Sequence, residues 1–325
     1  MNKIETDLLI ADSGMRRTAA LRFGRDMARK SGARLHLCII DHDPLIERTA
    51  DLVHPKVMHL ARSQFEQERN EWLAHEAETL SQDGVDVTCE MIWAPRRYDG
   101  LIAKCLEISP DLVIADSSQK DDRQLMRYCP APLLLVPKDS AAVPKRIIVA
   151  VDTALEIENV ASMNRHIVMM ALRAAYACDA ELHLAHAFPF TRNSIIGRMH
   201  LHSDYNSLRT ADERAFDRFA DTQNVPVERR HKLTGTPESR LPILAKRISA
   251  DLMVLGFSYR SGLDRFVLGS TAEKLASAQP CKLLFIKSED FTLELGKNLD
   301  LDAIRRRHAD KSSTSAHLLR NARLI

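Results

Sequence analysis

Four strand-like blocks recur in the same order in the two halves of this 325-residue chain. No other feature constrains its fold as much. "ARLHLCIIDHDP" from Ala33 returns as "AELHLAHAFPFT" from Ala180, and "SPDLVIADSS" from Ser109 as "SADLMVLGFS" from Ser249. "CPAPLLLV" from Cys129 returns as "QPCKLLFI" from Gln279, and "DLLIADS" from Asp7 as "RIIVAVDT" from Arg146. Each displacement is roughly 140 to 150 residues, far longer than the period of about 20–50 residues that marks a solenoid. The chain therefore reads as two copies of one domain, residues 1–140 and 145–288, followed by a tail at 289–325. The stretch "PKDSAAVPKR" at 137–146, with two prolines and small polar residues, suits a short linker.

Within each copy, apolar runs alternate with helical periodicity. In the second copy "RIIVAVD" is a continuous apolar run of the kind a strand buried on both faces requires. Val160, Met163, Ile167, Val168, Ala171, Leu172 and Ala175 then recur at helical spacing. "ELHLAHAF", "VERRHKL", "DLMVLG" and "KLLFI" read as further strands. Helices are expected from about Thr210 to Thr222, over "PESRLPILAKRIS" and from Ser270 to Ala278. The first copy follows the same order; Ala20, Phe23, Gly24, Met27 and Ala28 line one helix face, and Gly32 is placed to cap it. Such alternation predicts an α/β fold with two tandem doubly wound, Rossmann-like parallel sheets and right-handed crossovers. In these sheets ligands bind beyond the carboxyl ends of the strands, where the strand order switches.

Composition narrows the classes. No apolar run approaches the ~18 residues of a membrane span, and the N-terminus lacks a signal-peptide core, so a cytoplasmic location is expected. The net charge of +2 gives no overall field for nucleic acid. None of the six cysteines forms a CxxC pair, and most sit in apolar runs, where a thiol acts as a small hydrophobe.

Chemistry concentrates in "VLGFSYRSGLDRFVLGSTAEK", residues 254–274. Gly256 ends a strand, and Gly269 precedes a helix that starts at Ser270 and Thr271. A helix N-terminus offers unpaired N–H groups and partial positive charge, and glycine lets the backbone approach an anion closely. Arg260 and Arg265 are candidate charge-assisted donors to phosphate. A plainer reading stays open, because Ser270 and Glu273 have the spacing of a capping box. Neither GxxxxGK[ST] nor GxGxxG occurs.

This segment resembles the nucleotide motif of the universal stress protein (UspA) family, glycine-x2-glycine-x9-glycine-[ST]. Gly256, the nine residues from Arg260 to Leu268, Gly269 and Ser270 fit its spacing. The resemblance covers nearly the whole chain in two copies and is greatest to tandem E-type members. It implies two Usp-like domains packed as a pseudo-dimer, with "LLLV" and "KLLFI" as the interdomain contact. It also implies a non-enzymatic stress-response protein, tied to tolerance of DNA damage and to adaptation. Carried over by position, Asp152, Thr153 and Ala187 would face ribose and adenine, and Gly256, Gly269, Ser270 and Thr271 would face phosphate and ribose. ATP or another adenine nucleotide, with Mg²⁺, is the cofactor this implies.

The departure is Tyr259, which stands where the motif has its second glycine and brings a bulky ring that disfavours positive φ. The site is therefore read as degenerate, with AMP, ADP or another small ligand as alternatives to ATP. The first copy is read as having lost the site, since no glycine lies between Ala115 and Pro130 and Asp121–Asp122 would repel phosphate. Two other classes remain: a weak ATPase with Asp152 as its base, and a purely structural interaction module. Expected partners are a small-molecule or nucleotide ligand, a protein partner, and pairing of the two domains within the chain, with homodimerisation open.

Other constellations are weaker. His183 and His186 point to opposite faces of a strand. His200, His202 and Asp204 form a chemically reasonable zinc set, against the commoner solvent-exposed histidine. The connection 191–210 and its counterpart 45–63 read either as long loops able to frame a pocket or, the preferred reading, as a helix packed against its own domain. The tail after Lys287 balances seven basic against six acidic residues and is expected to be solvated.

Overall fold

A computed structural model describes residues 5–49, 52–118, 122–153, 158–188, 202–257 and 270–288, with positions 291, 295, 299, 300 and 304. At 159, 202–206, 257 and 270 it describes the backbone alone. The first copy runs β1 (Thr6–Ile10), α1 (Ala19–Ser31), β2 (Arg34–Asp41), α2 (Pro44–Thr49), α3 (Pro55–Gln82), β3 (Val87–Trp93), α4 (Arg97–Ile108), β4 (Leu112–Asp116), α5 (Asp122–Tyr128) and β5 (Leu133–Val136). The second runs β6 (Arg146–Ala150), α6 (Glu158–Cys178), β7 (Glu181–Phe188), α7 (His202–Thr222), β8 (Arg230–Thr234), α8 (Pro237–Arg247), β9 (Leu252–Phe257), α9 (Ser270–Ala278) and β10 (Lys282–Lys287).

All ten strands form one sheet in the order β3-β2-β1-β4-β5-β10-β9-β6-β7-β8. Pairing within each copy is parallel. The copies meet where β5 and β10 pair antiparallel, with Leu135 opposite Leu283, Leu134 opposite Leu284 and Leu133 opposite Phe285. This is the interdomain contact expected from the sequence. Both seam strands are buried along their whole length, so apolar side chains leave the sheet on both faces and need helices on both.

Two cores result, each spanning both copies. On one face Leu101 of α4, Leu125 of α5, Leu241 of α8 and Leu275 of α9 pack together. On the other, Phe23 of α1, Leu73 of α3, Ile167 of α6 and Phe216 of α7 do so. The helix face expected in α1 is buried apart from half-buried Met27, and Gly32 ends the helix at φ 72°. In α6, by contrast, Leu172 is 45% exposed. All six cysteines are free thiols, and five are buried.

Two expectations are corrected, whereas the preferred helical reading of 45–63 holds over 45–49 and 55–63: Pro55 opens α3 at its first turn, and the His54 ring accepts the Lys56 N–H at 3.2 Å. The α7 helix starts at His202, eight residues before the expected Thr210. In the tail, Phe291, Leu295 and Ile304 are buried in the first of the two cores, so this part covers apolar surface instead of lying in solvent. Residues 189–201, with His200, lie outside the described residues, and so do the side chains of His202 and Asp204.

Two lysines of β10 are buried at the seam. Lys282 donates to Ser140 Oγ at 2.8 Å and lies 5.3 Å from the Phe23 ring centroid. Lys287 donates to the Met126 carbonyl of the first copy and sits 4.6 Å from the Phe291 ring. Burial pushes the Lys287 ammonium down from 10.5 to about 7, against a smaller upward pull from Cys129.

The seam makes each copy's stability depend on the other. Leu284→Ala, in the second copy, should lower the unfolding free energy by about 2–5 kcal/mol. Both tryptophans, Trp72 and Trp93, lie in the first copy. Their fluorescence midpoint in urea should nevertheless shift with that variant, together with far-UV circular dichroism.

Lys287 also predicts a pH dependence. Its folded pKa lies below its unfolded one, so between about 7 and 10.5 the unfolded chain binds more protons and stability rises with pH. Lys287→Met removes that rise. Wild type should gain on the variant by at most about 1.4 kcal/mol per pH unit across the window, in paired urea titrations at pH 7 and 9.

Candidate functional site

In each copy the strand order reverses between the first and fourth strands, which for the second copy are β6 and β9. Parallel neighbours lie about 4.8 Å apart, so the residues ending β9, β6 and β7 are brought together at one sheet edge. Gly256 lies near the end of β9, Asp152 and Thr153 follow β6, and Ala187 sits near the end of β7 beside Leu233. The helix α9 begins at Ser270, with Thr271 half-buried in its first turn. Sequence reasoning thus collects Asp152, Thr153, Ala187, Gly256 and Thr271 onto one edge. Gly269, Tyr259, Gly262, Arg260 and Arg265 lie outside the described residues, and so does the Ser270 side chain.

The local structure shows how the edge is built. Asn164 of α6, itself buried, accepts the Asp152 N–H at 3.1 Å and donates to the Asp152 carbonyl at 2.6 Å. One side-chain amide thus satisfies both backbone groups of the residue that leaves the strand, and the Asp152 side chain is left facing solvent. The next residue, Thr153, is buried, and its Oγ1 has no hydrogen-bond partner among the described residues. Gly256 packs tightly against α6: a Cβ there would stand 2.6 Å from Ile167 Cδ1 and 3.0 Å from Met163 Cγ. Spacing alone pointed to Gly256 as a phosphate residue; helix packing is a second reason for its lack of a side chain.

The equivalent edge of the first copy is filled by its own carboxylates. Asp116 occupies the position of Gly256 in the repeat, and its Oδ1 accepts the Ala20 N–H at the start of α1, at 3.1 Å. Burial pushes the Asp116 carboxyl up, opposed by the hydrogen bond it accepts from the Ala20 N–H. Asp12, the counterpart of Asp152, is held by Arg16 at 2.7 Å, which keeps its carboxyl below the usual range. Asp122 accepts from Ser117 Oγ and the Ser118 N–H, each at 2.7 Å. Gln279 of the second copy also donates to Ser117. A bound anion would meet three carboxylates at this edge.

Sequence reasoning missed three polar residues here. Asn164 sits inside an apolar helical pattern that gives no sign of its clamp. His186 and Asp212 form a buried pair at 2.8 Å from elements 26 residues apart. His183, as its strand position requires, faces elsewhere: its Nδ1 lies 3.1 Å from Nε2 of His231. Burial lowers both of those histidines, His231 to about 4.

Residues 144–287 match the universal stress protein family. The chain is 26% identical over 302 residues to Universal stress protein E of Photorhabdus laumondii, covering 87% of this chain and 95% of that one. It is 25% identical over 298 residues to Universal stress protein E of Escherichia coli (strain K12), covering 87% and 94%. A crystal structure of a universal stress protein from Archaeoglobus fulgidus DSM 4304 superposes with TM-score 0.61 at 13% identity, covering 87% and 98%. A crystal structure of a candidate universal stress protein from Pseudomonas aeruginosa UCBPP-PA14 gives 0.69 at 20% identity, covering 90% and 97%. The second domain thus matches the universal stress protein family, and the chain as a whole is similar to two-domain proteins of the E type. Among the described residues no helix is long and apolar enough to cross a membrane.

Removing the Asn164 clamp strands two backbone groups. Asn164→Ala should cost about 1–3 kcal/mol, read as a lower urea midpoint, with amide exchange at Asp152 accelerated beyond that at Ile148.

Proposed function

We propose that the second domain binds an adenine nucleotide, with its Mg²⁺, at the edge formed by Asp152, Thr153, Ala187, Gly256 and the start of α9, and that this binding serves a stress-adaptation role. The observation that carries the reading is the Thr153 hydroxyl, buried without a partner among the described residues at the strand switch point. A buried hydroxyl left unpaired costs about 1–3 kcal/mol, and a ligand oxygen or nitrogen at this edge would relieve it. The start of α9 supplies N–H groups and a partial positive charge to the same edge. Gly269, Ser270 and Thr271 would approach phosphate there, and Asp152 would face the ribose.

The first copy, whose edge holds Asp12, Asp116 and Asp122, is assigned no nucleotide. The role proposed is recognition rather than turnover.

Thr153→Val tests the reading through two effects of opposite sign. Without ligand, the variant should be more stable than wild type by about 1 kcal/mol, because an unsatisfied hydroxyl is gone. Its affinity for Mg²⁺-ATP or ADP should fall about fivefold or more by calorimetry. If wild type takes up none of ATP, ADP and AMP, and Tyr259→Gly does not restore uptake, the nucleotide reading is wrong.

A further inference from the structure

Large exposed apolar side chains line one helix of the second copy. In α6, Met169 is 48%, Leu172 45% and Tyr176 94% exposed. Their spacing of three and four residues sets them in one row on the helix face turned away from the sheet. The opposite face of the same helix packs Ile167, Val168, Ala171 and Ala175 into the second of the two cores, so α6 is apolar on two sides. A helix with one face on a core ordinarily turns a polar face to water.

The first copy is an internal control. Gly32 and Asp179 follow α1 and α6 in the left-handed region, at φ 72° and 53°, and Ala33 and Ala180 then lead into β2 and β7. On that alignment Leu21, Gly24 and Ala28 of α1 stand where Val168, Ala171 and Ala175 stand in α6, and all six are buried. Met169, Leu172 and Tyr176 correspond to Arg22, Arg25 and Arg29, of which Arg22 and Arg29 are exposed and Arg25 is half-buried. The outer row thus tolerates charge in this fold, so packing does not explain the apolar groups of α6. Charges that border the row are compensated within the chain: Arg165 by Glu158 at 2.8 Å, Arg173 by Glu5 at 3.4 Å and Arg25 by Asp26 at 2.9 Å.

We propose that the outer face of α6 is the contact between two copies of this chain, their α6 helices antiparallel about Leu172. The row is self-complementary in that arrangement. Met169 meets the partner subunit's Tyr176, a sulfur–aromatic contact, and Leu172 lies at the two-fold axis. Arg165 comes near the partner subunit's Asp179, a residue exposed in the single chain. The matching helix of the first copy presents arginines, so the contact is not repeated there and the assembly closes at two. A lipid surface fits the charge less well, since Arg25, Arg165 and Arg173 are already paired with carboxylates. One pair of helices buries less than the ~1,600 Å² of a standard interface, so the association is reversible and of micromolar strength. This contact is independent of the nucleotide reading.

The test is sedimentation equilibrium on the full chain from about 1 to about 100 µM. Wild type should pass from monomer to dimer across that range. The triple variant Met169→Arg, Leu172→Arg, Tyr176→Arg copies the row of the first copy at exposed positions and should keep the wild-type circular dichroism. Its dimer Kd should rise about tenfold or more. Leu172→Cys, oxidised with copper phenanthroline, should give a disulfide-linked dimer, because the two thiols meet at the axis; Arg25→Cys, at the matching position of α1, should not. A wild type that stays monomeric at about 100 µM overturns the inference. So does a triple variant that dimerises like wild type, or a Leu172→Cys chain that forms no more linked dimer than Arg25→Cys. A monomeric wild type that sediments with phosphatidylglycerol vesicles assigns the row to lipid instead.

Discussion

The antiparallel pairing of β5 with β10 is the contact on which the rest of the molecule depends. Each of these strands would otherwise be the buried-type edge of a five-stranded sheet, with unpaired N–H and C=O groups flanked by leucines, a template for aggregation. Pairing them removes both edges at once and extends the apolar cores across both copies. It also accounts for two otherwise costly features: Lys282 and Lys287 are buried in β10, and each finds an oxygen on the other side of the seam, from Ser140 or Met126. A tandem chain thereby meets within itself a pairing that separate domains would have to meet by association.

Once the seam holds both copies together, their strand ends are free to diverge. The divergence follows one theme, the source of the polar group at each position. At the end of the fourth strand the first copy supplies an anion of its own, Asp116, to the start of α1; the second has Gly256 and no side chain. In the second strand the first copy has Ile39 and the second His186. The first copy thus lines its strand ends with its own carboxylates and apolar groups. Each copy keeps a buried hydroxyl without a partner among the described residues, Thr18 in the first and Thr153 in the second.

The duplicated architecture was legible because strand runs such as "DLVIAD" and "DLMVLG" are short, local and repeated. Each needs only its own residues to be read, and the repeat doubles the signal. The seam between "LLLV" and "KLLFI" was legible through the family resemblance, which implies a pairing of the two last strands. Asp152, Thr153 and Ala187 came from the family resemblance, carried over by position, and the strand order accounts for their meeting Gly256 at one edge. What escaped depends on contacts between distant residues. His186 meets Asp212 only because α7 packs over β7, and Asn164 reaches back twelve residues to Asp152. The tail escaped too: its charge balance suggests a solvated segment, while Phe291, Leu295 and Ile304 meet apolar surface that exists only after both copies have folded.

Thr153 Oγ1 and Asp212 Oδ1 bear on one another through β6 and β7. Both are buried in the second copy, both lack a partner among the described residues, and His186 links the Asp212 carboxylate to the Val151 carbonyl two residues before Thr153. Apolar groups stand at the matching positions of the first copy, Ile39 buried and Trp72 half-buried, so selection for stability alone would favour removing such atoms. At a strand switch point their persistence is what ligand recognition predicts. A site built to donate to or accept from a ligand is under-satisfied without it, and it discriminates against analogues lacking the matching group because those leave it so. The energetic strain of the free protein and the selectivity of the bound one are then two consequences of the same unpaired atoms.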